Sequence, residues 1–237
     1  MGARQRKKEI IALLEDASLS REELISRMKG FTPAEAIHAL FFALCDSRPH
    51  VRWWAVVCMG MSVARLALVD LEAARVVMRR FLWSLNDESG GIGWGAPEAM
   101  AESMCQQKVL AREYVHMLVS YMRQDGEELC QDGNFLEHPL LQRGLLWGIA
   151  RMSGCRPDLM IEHRVVAELM PYFGSNDAEV RALTALCAGL LHFTEARPAL
   201  EELCLDKEEV ILFLHNKLTA CRVGELASTA LERLAPL

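Results

Sequence analysis

Apolar positions recur at intervals of three and four along nearly the whole chain, interrupted by short polar breaks such as "SRPH", "GSND" and "LDKE". That spacing gathers apolar side chains on one face of a helix, whereas the strict alternation of a half-buried strand is almost absent. The pattern predicts one helix after another, among them residues 33–45, 71–85, 108–122, 157–172 and 197–205. A chain of 237 residues that is 51% apolar can bury a substantial core, and by length it could form one or two domains.

The helical segments repeat. Laying "VRWWAVVCMG" (51–60) on "VRALTALCAG" (180–189) brings valine, arginine, cysteine and glycine to common offsets. Three further segments take the same register: "IGWGAPEAMA" from Ile92, "QRGLLWGIAR" from Gln142 and "VGELASTALE" from Val223. The anchors lie 41, 50, 38 and 43 residues apart, the period of stacked helix pairs. The longest interval contains "RQDGEELCQDGNFLEHP", which reads as a loop insertion at 124–138. Six residues before the repeat arginine stands Asp46 for Arg52 and Glu137 for Arg143, with Ser175 before Arg181. An acid there can cap the second helix of a pair and bond the arginine one turn in. Pairs Asp46–Arg52 and Glu137–Arg143 are therefore expected.

These residues resemble the D-x-x-x-x-V-R pattern of HEAT repeats, including the HEAT-like repeats of phycobilisome lyases. "DSRPHVR" (46–52) carries the likeness best and Val223 onward least. The resemblance implies an all-α fold, a right-handed α-α superhelix of the HEAT/armadillo kind, with about five helix pairs or ten to twelve helices. Second helices would line a concave face. One α-solenoid domain would span 1–237, with capping helices over 1–30 and the repeats over 31–237. The pattern itself agrees, because each pair has an apolar face that only a neighbouring pair can cover.

Charge narrows the function by exclusion. A net charge of −6 provides no general basic field, so nucleic acid is not an expected partner. The N-terminal "MGARQRKKEIIALLED" has an apolar run of only five residues, too short for a signal-peptide core. Arg6 stands where a myristoylation signal needs serine or threonine, and no stretch reads as long enough for a membrane span. A cytoplasmic protein with no membrane partner is expected. The eight cysteines form no C-x-x-C pair and most sit in apolar runs. They read as reduced, structural thiols, with neither metal nor cofactor implied.

The least ordinary stretch is "GGIGWGAPEAM" (90–100), in which Gly91, Gly93 and Ala96 have the G-x-G-x-x-A spacing of a dinucleotide-binding turn. Such a turn must follow a strand, and "ARVVMRRFLWSLNDES" before it is helical in period. In repeat register, Asp87 occupies the turn-acid column while Gly93 replaces the arginine. Trp94 shares the column of Trp53, Pro97 suits a first helical turn, and Glu98 takes a position that is apolar or small in most other units. Glu98 and Glu102 lie one turn apart, where a helix N-terminus stabilises carboxylates without any further role. Ser89 to Ala96 is expected as an ordered loop on the concave side, with Trp94 and Glu98 bordering a pocket near Arg143 or Trp147.

Asp87, Trp94, Glu98, Arg143 and Trp147 are thus the candidate binding residues. Indoles beside arginines suit a planar or anionic small ligand, or the anchors of a peptide. The repeat arginines read otherwise as structural, and the tryptophans as inter-repeat core. His138, before Pro139, reads as the start of a helix. The acidic insertion, with Asp125, Glu127, Glu128, Asp132 and Glu137, is a second contact surface. No catalytic residue is identified, since the histidines are dispersed and none accompanies a nucleophile. The expected function is a non-catalytic scaffold that holds a protein or peptide partner on its concave face. The alternative is an enzyme on the same scaffold, bilin-lyase-like or DNA-glycosylase-like, with a site around Asp87, Trp94 and Glu98.

Overall fold

The computed structural model describes residues 2–86, 93–124 and 134–235. Among these are thirteen α-helices and one two-stranded sheet. The chain divides into two compact units, Met1–Ala111 and Arg112–Leu237.

The first unit holds α1 (Ala3–Glu15), α2 (Arg21–Met28), α3 (Pro33–Ala43), α4 (Pro49–Val69), α5 (Leu71–Leu85) and α6 (Ala96–Gln106). Their starts follow from local chemistry. Ser20 with Glu23 and Thr32 with Glu35 form capping boxes that satisfy orphan amides of α2 and α3. Asp70 accepts from the Ala73 amide at 2.9 Å to cap α5. α1 turns Ile10 and Leu14 into the core and leaves Arg4 and Lys8 exposed. The Lys7 ammonium lies 3.1 Å from the centre of the Phe42 ring.

α4 corrects one expectation. Its 21 residues are long and apolar enough to cross a membrane by length and composition, with a window of mean hydropathy 1.3. Two-thirds of that window is buried within the protein. α4 packs against α1, α3, α5 and α6, covering Val56, Cys58, Met59 and Val63 completely. Its apolar surface serves a core, as in a helix that is hydrophobic nearly all round. Gly60 permits the contact with α6, since a Cβ there would lie 2.9 Å from the main-chain carbon of Glu102.

α7 (Lys108–Ser120) crosses the boundary, and the second unit continues through α8 (Pro139–Cys155), α9 (Pro157–Glu162), α10 (Val165–Phe173), α11 (Ala178–Leu190) and α12 (Arg197–Leu203). A hairpin follows, β1 (Glu209–Leu214) and β2 (Lys217–Arg222), and then α13 (Val223–Arg233). α11 packs on both α8 and α13. Gly189, at the same repeat offset as Gly60, approaches α13 so closely that a Cβ would lie 2.8 Å from the Ala230 Cα. The helix expected over 157–172 is two, α9 and α10, broken where Arg164 adopts a φ of 55°. Nothing in the sequence flags that break.

The repeat register holds. Anchors Val51, Gln142, Val180 and Val223 fall in the opening turns of α4, α8, α11 and α13, while Ile92 lies outside the described residues. The hairpin in the last unit was not expected. His215 and Asn216 have φ of 50° and 64°, the both-positive geometry of a two-residue type I′ turn. Val210, Leu212 and Phe213 bury β1 against the unit. The thiol expectation also needs correcting. Cys45, Cys58, Cys187, Cys204 and Cys221 are free, but neither Cys105 nor Cys155 is a free thiol, each being in a disulfide. A disulfide depends on where Cβ atoms stand in space, which the spacing of cysteines along a sequence does not report.

Candidate functional site

The described part of the glycine stretch is a tight turn into α6. Gly95 is the N-cap, with a left-handed φ of 71° that costs glycine little and other residues much. A Cβ at Gly95 would lie 3.1 Å from Leu44, at the end of α3, and one at Gly93 would lie 2.7 Å from the Ser84 carbonyl oxygen, in α5. These two glycines let three chain segments meet; among the described residues the element before them is a helix, α5. Pro97 stands in the first turn of α6, where its missing N–H leaves no bond unmade. Trp94 is half-buried on the turn. Asp87, Gly90 and Gly91 lie outside the described residues, as do Asp125, Glu127, Glu128 and Asp132 of the insertion.

Glu98 is the unusual group in the first unit. It sits in the first turn of α6 with 6% of its surface exposed, and its Oε2 has no hydrogen-bond partner. Burial pushes its carboxyl above the usual range, while the Arg52 charge and its own backbone N–H pull back. Glu102, one turn on, differs in being bonded: its Oε1 accepts from Gln106 Nε2 at 2.8 Å. Arg52 extends from α4 with its guanidinium 5.6 Å from the centre of the Trp53 ring. Close by in sequence, His50 is edge-on to Trp54 at 6.1 Å, and its buried Nε2 also lacks a partner. Arg52 was expected to pair with Asp46. Asp46 is taken instead by Arg48, at 2.9 and 2.8 Å, and Arg48 also reaches Glu15 at 2.7 Å. A side chain two residues away closes the turn more readily than one six residues on.

In the second unit, the Glu137–Arg143 pair is likewise replaced. Glu137 is exposed, and the cap of α8 is His138, whose Nδ1 accepts from the Leu140 amide at 3.3 Å. Arg143 reaches forward to the start of the next second helix, bonding Asp177 at 2.8 Å and Glu179 at 3.0 Å. Arg181 likewise reaches forward, to Asp206 in the turn after α12, at 2.9 and 2.7 Å. The six-residue offset survives only as a bond from Arg181 to the Ser175 carbonyl at 2.8 Å. The arginine column thus joins one repeat to the acid that follows it. Trp147 is buried, 6% exposed, and its indole N–H donates to the Phe213 carbonyl at 2.7 Å. It anchors β1.

The candidate residues therefore divide. Trp94 and Glu98 belong to the first unit, with Arg52, which sequence reasoning had assigned to a structural pair. Arg143 and Trp147 belong to the second and have structural partners there. Among the described residues, no group of three or more histidines, cysteines or carboxylates could hold a metal ion.

No protein-family model matches the sequence, and no curated protein matches it. Solved structures do. Two engineered proteins from a structural genomics consortium align at TM-scores of 0.58 and 0.56, with 14% and 15% identity. They cover 99% and 98% of this chain, and 92% and 93% of their own. A designed armadillo repeat protein in complex with the peptide (KR)4 aligns at a TM-score of 0.50 and 18% identity, over 96% of this chain and 98% of that one. The fold is an all-α repeat of the armadillo/HEAT kind. The likeness does not single out the phycobilisome-lyase type.

Proposed function

We propose that this protein is a non-catalytic repeat scaffold that holds an extended peptide segment of a partner protein along its second helices, with Glu98 as a polar anchor. The observation that carries this reading is the Glu98 carboxylate, buried with an oxygen that nothing bonds. A buried acceptor left without a donor costs about 1–3 kcal/mol, a cost that a partner's amide, lysine or arginine head would remove. The repeat that contains it has Gly93 in place of the repeat arginine, so its polar groups are not committed to the ladder that occupies Arg143 and Arg181. Half-buried Trp94 supplies an apolar body beside it in sequence. The net charge of −6 favours a basic segment, and a designed protein of similar fold is seen with the basic peptide (KR)4.

Fluorescence anisotropy with labelled (KR)4 tests the reading on the full chain. Glu98→Gln is expected to weaken binding at least tenfold without lowering the melting temperature. Equal affinity in the two proteins, or a large fall in melting temperature with affinity intact among folded molecules, would make Glu98 part of a structural cap. Absence of binding to the unmodified protein would remove the basic-peptide assignment.

A further inference from the structure

The hairpin in the last unit ends in an open strand edge. Its two-residue turn makes Leu214 and Lys217 a hydrogen-bonded pair, so Leu212–Thr219 and Val210–Cys221 are the next such pairs in the observed register. The intervening residues of β2, Leu218 and Ala220, consequently turn their N–H and C=O groups away from β1. On the β1 side, the equivalent outward carbonyl of Phe213 is bonded by the Trp147 indole. On the β2 side, the Arg222 amide is bonded by Glu225 at 3.0 Å. Among the described residues no bond is made by the main chain of Leu218 or Ala220. Residues 217–220 and 222 are exposed, and the segment "LTAC" between Lys217 and Arg222 carries no charge or proline. Natural edges are commonly blunted by such residues; in β2 charge stands only at the two ends, Lys217 and Arg222, which leaves 218–221 as a template for another strand.

We propose that β2 binds an extended strand of another polypeptide by sheet augmentation. The partner strand is apolar at alternate positions and acidic at its two ends. Main-chain bonds to Leu218 and Ala220 supply the affinity. Ile211, 62% exposed, and Leu218, 42% exposed, share one face of the hairpin with Ala220, and alternate apolar side chains of the partner cover that face. Charge sets the ends of the partner strand: carboxylates opposite Lys217 and Arg222 are complementary, and opposite charges across a strand pair are favourable. Arg222 is open to such a contact, since its one ion pair among the described residues, with exposed Glu209, is long at 3.5 Å.

The test uses the full chain and a synthetic hexapeptide, acetyl-Asp-Thr-Val-Thr-Val-Asp-amide. Binding is followed by anisotropy of a labelled form and by amide hydrogen exchange. Exchange at the Leu218 and Ala220 amides is expected to be fast in the free protein and to slow on saturation with peptide. Ala220→Pro removes one outward N–H without removing a β1–β2 bond, and is expected to weaken binding at least tenfold. Lys217→Glu should weaken it severalfold, and a peptide N-methylated at its valines should not bind. The proposal is overturned if millimolar peptide does not bind, if Ala220→Pro binds equally, or if protection appears only in the first unit. A dimer that Ala220→Pro abolishes would show the occupant to be a second copy, which also overturns it.

Discussion

Glu98 and Asp206 show how two carboxylates of one chain reach opposite ends of the same scale. Glu98 is buried without a partner for Oε2, and burial raises its affinity for a proton. For a carboxyl raised on folding, the favourable contribution belongs to the neutral form: it is complete below the unfolded value and is lost as pH rises through the folded one. Thermal melts of the unmodified protein should therefore fall relative to Glu98→Gln as pH rises from about 4. Parallel pH profiles for the two proteins would show that the carboxyl is solvated after all. Asp206 is also drawn upward by burial, but the Glu208 amide and the Arg181 guanidinium outweigh that and hold it low. Its contribution has the other sign, present above the unfolded value and lost as pH falls through the folded one.

At the scale of the element, helix crossings are set by small residues. Gly60 in α4 and Gly189 in α11 share one repeat offset and both meet a neighbouring second helix too closely for a side chain. Gly154 in α8 has nothing within 4 Å of a Cβ position. Gly60→Ala and Gly189→Ala are expected to destabilise the protein by about 1–3 kcal/mol through overpacking. Gly154→Ala should stabilise it by up to about 1 kcal/mol, since alanine loses less backbone entropy in a helix. Urea titration of the three variants separates the cases. A common sign at all three positions would show that helix propensity, rather than packing, governs them.

At the scale of the whole molecule, the arginine column is a linking device of the second unit alone, where it ties successive helix pairs together. Within the second unit, Arg143 joins α8 to the start of α11, and Arg181 joins α11 to the turn after α12. The first of these is half open, with 37% of the Arg143 side chain exposed, and an open pair is worth about 1 kcal/mol or less. The second is more enclosed, at 12% and 15% for Arg181 and Asp206. Asp206→Asn is expected to cost about 1–3 kcal/mol near neutral pH. The cost should shrink as pH falls through the folded value of Asp206. Denaturant titration at two pH values checks this, and a penalty independent of pH would assign the loss to packing.

The sequence by itself determined the elements and their period. Apolar spacing marked α5 over its observed span, Leu71–Leu85, and placed Val51, Gln142, Val180 and Val223 in equivalent helices. Both signals lie within one helix pair, and helix formation reads mainly the apolar face and the caps nearby. Gly93 and Gly95 were also legible as places of close approach or positive φ, because only one residue type tolerates them cheaply. What only the tertiary structure decided is which partner each side chain takes. Asp46 and Glu137 matched Arg52 and Arg143 in sequence, yet Arg48, Asp177 and Glu179 took their places. The hairpin likewise depends on Trp147, 66 residues from the carbonyl it bonds. Partner choice follows from distances across the fold and from what burial leaves unsatisfied, neither of which a local pattern contains. Glu98 was singled out as a break in its column, but only packing revealed that its oxygen has no donor.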